Sequence, residues 1–259
     1  MPNAFAQNYI DVFELESFSS NRMLKNSDDQ IKLSSYNINT IVPLFNGNTS
    51  SVALSLNYDN IETIKKGDKY FKVFSFATNL VFSKSHNEYL TVRYIFMPKL
   101  LGNSSKTNTK VTQLGFATLA NKILNETTNV SYGFVYNNQL FGPFIVPLFG
   151  YYTKQDLIEV NVLFPQNIDI NYKLNPNIFF GLKFNGKMNS YALESNTLDL
   201  VQNTYLSVNE NQIGTYLDYN YKNFHINFFG GYSFMSSYKI FSDLDRTDFS
   251  LFMLKFGDN

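Results

Sequence analysis

Residues 156–184 read DLIEVNVLFPQNIDINYKLNPNIFFGLKF, and their alternation decides the fold. Ile158, Val160, Val162 and Phe164 fall on one face of an extended chain, with Glu159 and Asn161 on the other. After the break at Pro165-Gln166-Asn167 the pattern resumes, Ile168, Ile170, Tyr172 and Leu174 opposing Asp169, Asn171 and Lys173. A second break at LNPN (174–177) leads to Ile178, Phe180, Leu182 and Phe184 against Gly181 and Lys183. A period of two marks a strand, because successive side chains of an extended chain point to opposite sides.

The same rule extends outward in both directions. YLTVRYIF (89–96) sets Leu90, Val92, Tyr94 and Phe96 against Thr91 and Arg93, and NVSYGFVY (129–136) sets Val130, Tyr132, Phe134 and Tyr136 against Ser131 and Gly133. FHINFFGGYSF (224–234) puts Phe224, Ile226 and Phe228 opposite His225 and Asn227. SVALSLNY (51–58), FKVFSFATNLVF (71–82), VTQLGFATLA (111–120), QIGTYLDYNY (212–221) and FSLFMLKF (249–256) belong to the same class, with weaker candidates at 10–18 and 30–42. No sustained helical periodicity occurs; LANKILNETT (119–128) is the best exception and reads as a turn with a little helix. The expected fold is all-β.

The connections carry the topology. SKSHNEY (83–89), TKQD (153–156), LNPN (174–177) and NYKN (220–223) are short and polar. Between them lie longer segments at 59–69, 98–109, 137–143, 186–203 and 236–248. Alternating short and long links are what an antiparallel up-and-down β-barrel produces, with turns on one rim and loops on the other. Residues 163–169 must then reverse on the long side. The count is about fourteen strands, or twelve if the two N-terminal candidates do not both span. With no composition break, residues 7–259 form one domain.

Composition bounds the function. Lys plus Arg and Asp plus Glu both number 21, so the net charge is zero and no basic stripe exists for nucleic acid. There is no cysteine, which excludes disulfides, zinc-thiolate sites and Cys nucleophiles. Aromatics reach 17 %, all Phe and Tyr, against only 16 % charged residues. No apolar run approaches the ~18 residues of a spanning helix, but a spanning strand needs none, since its lipid face occupies alternate positions. The apolar rows are too many for the inside of one closed soluble barrel, although a two-sheet soluble sandwich could bury them. The opposing rows are poor in the Lys and Glu of solvated strands. Tyr and Phe cluster near strand ends, as in FGYYTK (149–154), where aromatic girdles would lie.

These residues resemble a known family. FIVPLFGYYTKQDLIEVNVLFPQNIDINYKLNPNIFFGLKFNG (144–186) is similar to the uncharacterised outer-membrane β-barrel proteins of Bacteroidota, and FAQNYIDVFELESF (5–18) to their start after signal cleavage. The resemblance implies a fold and a location and brings no catalytic residues. It fits Ala4-Phe5-Ala6 as a residual signal-peptide cleavage region over residues 1–6, with Gln7 the first mature residue. The terminal FMLKF, ending at Phe256, is close to the terminal aromatic of such barrels.

The most specific polar feature is a patch expected on the inner face. Glu159, Asn161, Asp169, Asn171, Lys173 and Lys183 come from three consecutive strands, joined from elsewhere on the wall by Arg93, Asp218, His225, Asn227 and Lys255. Opposite charges on neighbouring strands pair across ~5 Å, so the patch is expected to be a plug of ion pairs and hydrogen bonds, or a charged constriction for small solutes. His86 falls in a polar turn. A lipid-modifying enzyme would need a Ser-His pair on the lipid side, whereas His225 is expected to point inward. No catalytic, metal-ligating or cofactor-binding motif is present, so no cofactor is expected. The expectation is an outer-membrane barrel of structural, accessory or narrow-pore role, with lipid and small solutes as its partners. The alternatives are a lipid-modifying enzyme and a soluble β-sandwich binding module.

Overall fold

A computed structural model describes residues 13–23, 30–65, 68–103, 111–193, 204–221 and 224–242. They form thirteen strands: β1 (Phe13–Met23), β2 (Gln30–Asn46), β3 (Ser50–Lys65), β4 (Asp68–Ser85), β5 (Leu90–Asn103), β6 (Val111–Ile123), β7 (Thr128–Gln139), β8 (Gly142–Lys154), β9 (Ile158–Phe164), β10 (Asn167–Asn175), β11 (Ile178–Leu193), β12 (Thr204–Tyr221) and β13 (Phe224–Ser242). Each pairs antiparallel with the next, so sheet order equals chain order and the fold is all-β and up-and-down. Both N-terminal candidates are strands, which exceeds the twelve-strand count. The fourteenth candidate, 249–256, lies outside the described residues, as do residues 1–12. Residues 119–123 belong to β6, and the turn after them closes through Leu124 N–H to Thr128 O at 2.9 Å with no helix.

Asparagine builds the short-turn rim. Asn87 Oδ1 accepts from Tyr89 N–H at 2.9 Å, Asn125 Oδ1 from Thr127 N–H at 3.0 Å, and Asn175 Oδ1 from both Asn177 and Ile178 N–H at 2.9 Å. A side-chain carbonyl that satisfies the backbone two or three residues on lets the chain reverse within a few residues. The predicted reversal at Pro165-Gln166 is present on the opposite rim, held by Gln166 N–H to Leu163 O at 2.8 Å.

Where the structure describes them, the segments read as long loops are largely strand. β3 continues to Lys65 and β4 begins at Asp68; β5, β11 and β13 run on to Asn103, Leu193 and Ser242. β4 and β12 reach 18 residues each, where a tilted membrane-crossing strand needs roughly 9–11. The excess projects on the side away from the short turns.

The two halves of the wall differ in which face is covered. Next to the short turns the apolar rows are exposed: Val42 and Leu44 on β2, Leu80 and Phe82 on β4, Tyr94 and Phe96 on β5, Tyr132 and Phe134 on β7, Ile170 and Tyr172 on β10, Phe180 and Leu182 on β11, Leu217 and Tyr219 on β12. The intervening residues point inward. Farther out the apolar side chains turn in and are buried together: Leu33, Ile61, Val73, Leu101, Leu140, Phe141, Phe144, Tyr191, Ala192, Leu193, Tyr205, Leu206 and Val208 form one core. The same chain is therefore apolar outside at one end and apolar inside at the other.

That inner core arises because the sheet curls until distant strands meet. The outer half of β11 touches β4 and β5, strands far from it in sheet order. The short hairpin β9–β10, of 7 and 9 residues, leaves room for this. β9 ends opposite Phe149, and the last bond from β11 towards β10 is Gly186 N–H to Gln166 O at 2.8 Å. Above that level β8 lacks β9 as a neighbour, and it carries Pro143 and Pro147 there, residues with no N–H to leave unpaired.

The gap beside β11 is sealed by the β7–β8 turn. Ser190 N–H donates to Gln139 Oε1 at 2.9 Å, Leu140 N–H donates to Ser190 Oγ at 2.9 Å, and Ser190 Oγ–H donates to Gln139 Oε1 at 2.6 Å. Gln113 Nε2 of β6 adds a bond to Ser190 Oγ at 2.7 Å. All three side chains are buried. A glutamine thus supplies the carbonyl that the missing strand would have offered, which keeps a buried N–H satisfied. Gly142, at φ +124°, makes the tight return of this turn possible.

Candidate functional site

Two polar regions line the inner face. The first is the patch expected from the sequence, on the short-turn half of β8–β13. Register sets Asp169 opposite Asn161 on one side and Lys183 on the other, and Asn171 opposite Glu159 and Gly181. Lys173 lies opposite Phe179, and Lys183 opposite Gly214. Glu159 pairs with Lys154 Nζ at 2.9 Å and accepts from Tyr152 Oη at 3.2 Å, both partners coming from β8. Asp218 accepts from Asn227 Nδ2 at 2.5 Å, with His225 Nε2 at 3.1 Å. Asn171 Oδ1 is buried with no partner among the described residues.

Asp169 has an unexpected partner. Tyr216 of β12 crosses β11 and donates its Oη to Asp169 Oδ1 at 2.5 Å. It passes over Gly181, where a Cβ would collide with the Tyr216 ring. Glycine is the one residue that leaves room for the ring, and the ring covers the backbone that glycine exposes. Gly181→Val is expected to displace Tyr216 and break its bond to Asp169, at about 1–3 kcal/mol. Urea unfolding of the refolded protein measures it, and an unchanged midpoint would contradict this packing.

The structure thus unites Glu159, Asn161, Asp169, Asn171, Lys173, Lys183, Asp218, His225 and Asn227 on one stretch of wall. Arg93 is elsewhere, on β5 between Ser83 and Leu119. Lys255 lies outside the described residues. The bonds join neighbouring strands or, for Tyr216 and Asp169, strands one apart, so the patch stiffens the wall and does not bridge the curl of the sheet.

The second region does bridge it. Tyr191 Oη of β11 donates to Asp59 Oδ2 of β3 at 2.6 Å, and Lys99 Nζ of β5 donates to Asn189 Oδ1 of β11 at 2.9 Å. The same ammonium sits 5.4 Å from the centroid of the Tyr191 ring, and Lys187 of β11 reaches Glu16 of β1 at 3.8 Å. Tyr191 is fully buried. Beneath this strut lies a cavity of about 290 Å³ lined by side chains that include Asn37, Asn57, Asn79, Asn137, Asp59 and Lys99.

None of these bridging residues was legible as a site in the sequence. Asp59, Lys99, Asn137, Lys187, Asn189 and Tyr191 all fall in segments read as loops. From Ser190 to Leu193 four successive residues are buried, because the outer half of β11 has protein on both sides; a strand so placed does not alternate. The one usable signal was Asn37 and Asn39 alternating with Tyr36 and Ile38 in β2.

The arrangement offers amides, hydroxyls and mutually paired charges. Among the described residues no group of three or more His, Asp or Glu side chains could hold a metal ion. No curated protein and no solved structure matches the chain. A family model described as a domain of unknown function, DUF6268, matches residues 49–244, and the chain belongs to that family.

Proposed function

We propose that this is an integral outer-membrane β-barrel with a structural or accessory role, its short turns facing the periplasm and its outer end closed by its own wall. One observation carries the reading: a belt of Phe, Tyr, Leu and Ile exposed on strand after strand beside the short turns, over an inner face of amides and charges. Soluble monomers rarely expose contiguous apolar patches beyond a few hundred Å², whereas a barrel in lipid requires such a belt. The likeness of residues 144–186 to outer-membrane proteins of Bacteroidota agrees with it. A soluble sandwich would bury these rows. A lipid-modifying enzyme would need its histidine on the lipid side, and His225 Nε2 lies against Asp218.

Expressed behind an export signal, the chain is expected in the outer-membrane fraction, released by detergent and not by carbonate, and to migrate differently on gels before and after boiling. Recovery in the aqueous fraction would overturn the proposal. The amide-lined inner face favours a narrow pore as second reading; the buried core across the outer end predicts no resolved conductance in planar bilayers, and discrete channel steps would establish the pore instead.

A further inference from the structure

We propose that the cavity beneath the β11 strut binds a neutral polyhydroxylated ligand, of the size of a single sugar unit. The volume, about 290 Å³, is that of roughly ten waters at ~30 Å³ each and sits at the small end of ligand pockets. Asparagine is the commonest lining residue, with Asn37, Asn57, Asn79 and Asn137 coming from four strands on the inner face, and Met97 and Met188 add an apolar surface for the carbon face of such a ligand. Each amide offers both donors and an acceptor, the combination that matches hydroxyls, which also do both.

The charges present are already matched. Lys99 is held by Asn189 and the Tyr191 ring, Asp59 by the Tyr191 hydroxyl, and Lys187 faces Glu16. An ionic ligand would have to compete with those pairs, whereas a neutral one would not. Asn57 Nδ2 bonds to Asn37 Oδ1 at 3.3 Å, which fixes these two side chains and leaves Asn57 Oδ1 and Asn37 Nδ2 to face a ligand. The Asn79 and Asn137 amides are bonded to no other described side chain, an arrangement suited to a polar guest. The buried core lies on the outer side of the cavity, which leaves the short-turn side and the open edge between β1 and β13 as routes for the guest.

This inference uses the inner face of the proposed barrel. Its test is saturation-transfer NMR on the full chain, refolded in a detergent without a sugar headgroup and shown to be folded by its gel shift. The probes are N-acetylglucosamine, the anionic glucuronate and the cationic glucosamine. Transfer to N-acetylglucosamine above both charged sugars is expected, weakened roughly tenfold or more in Asn79→Ala and Asn137→Ala chains that keep the gel shift. No transfer to N-acetylglucosamine from folded protein, preference for a charged sugar, or binding indifferent to both substitutions would overturn it. Loss of the gel shift in the unsubstituted chain would instead count against the barrel.

Discussion

Replacing Tyr191 by alanine is expected to cost about 3–5 kcal/mol, the range for removing a large aromatic side chain from a core. The ring is fully buried among Leu33, Ile61, Leu101 and Leu206 and carries the hydroxyl that meets Asp59. Truncation removes the packing and the partner of a carboxylate together. Tyr191→Phe separates the two: the ring stays and only the bond to Asp59 goes, at about 1.5–3 kcal/mol for a hydrogen bond to a charged group. Urea unfolding in lipid vesicles, followed by tyrosine fluorescence since the chain has no Trp, reads both. Equal midpoints for the alanine variant and the parent would remove the strut from any role in holding the outer end together.

The second large effect separates a lipid-facing surface from a watery one. Leu182 lies on β11 opposite Ile170, exposed in the apolar belt between Phe180 and Phe184. On a soluble protein an exposed Leu→Arg change stays within about ±0.5 kcal/mol. At the middle of a bilayer the same change costs roughly 2–4 kcal/mol, because a guanidinium has no water there. Leu182→Arg is therefore expected to fold poorly into vesicles and to unfold at markedly lower urea. Lys187→Ala, above the belt, is the comparison: its pair with Glu16 is 3.8 Å long and exposed, and such a pair contributes at most about 1 kcal/mol. Indifference at both positions would place the belt in water.

Together these variants treat the wall as two materials joined end to end. The half beside the short turns would be stabilised by contact with lipid and by its inner polar patch. The outer half is stabilised as any globular core is, by apolar side chains packed on one another. The Ser190–Gln139–Gln113 node lies at their junction, where the hairpin β9–β10 stops short and the β7–β8 turn takes its place.

Much of the lower wall could be read without coordinates. Residues 158–184 alternate because one face meets the inner polar patch and the other is largely left uncovered by the protein, so a period of two runs through β9, β10 and the first half of β11, interrupted only at the turns. The reversal at Pro165-Gln166 followed from the same reasoning, as did the grouping of Glu159, Asp169 and Lys183, since register between neighbouring strands is local information.

The outer half was not legible in that way. β11 from Ser190 to Leu193 is covered on both faces, so its residues lose the alternation by which a strand is recognised, and NSYALESN reads as loop. The partner of Tyr191 is Asp59, 132 positions away, and no local pattern names it. The order of residues along the chain is enough to establish that it alternates, that it reverses at fixed points, and which residues near the short turns share a face. The curl of the sheet that brings β11 to β3, β4 and β5 is visible only in three dimensions. That curl turns an apolar surface into an apolar interior at one end and leaves an amide-lined cavity beneath it, because contact between distant strands is set by the shape of the whole sheet and not by neighbours in the chain.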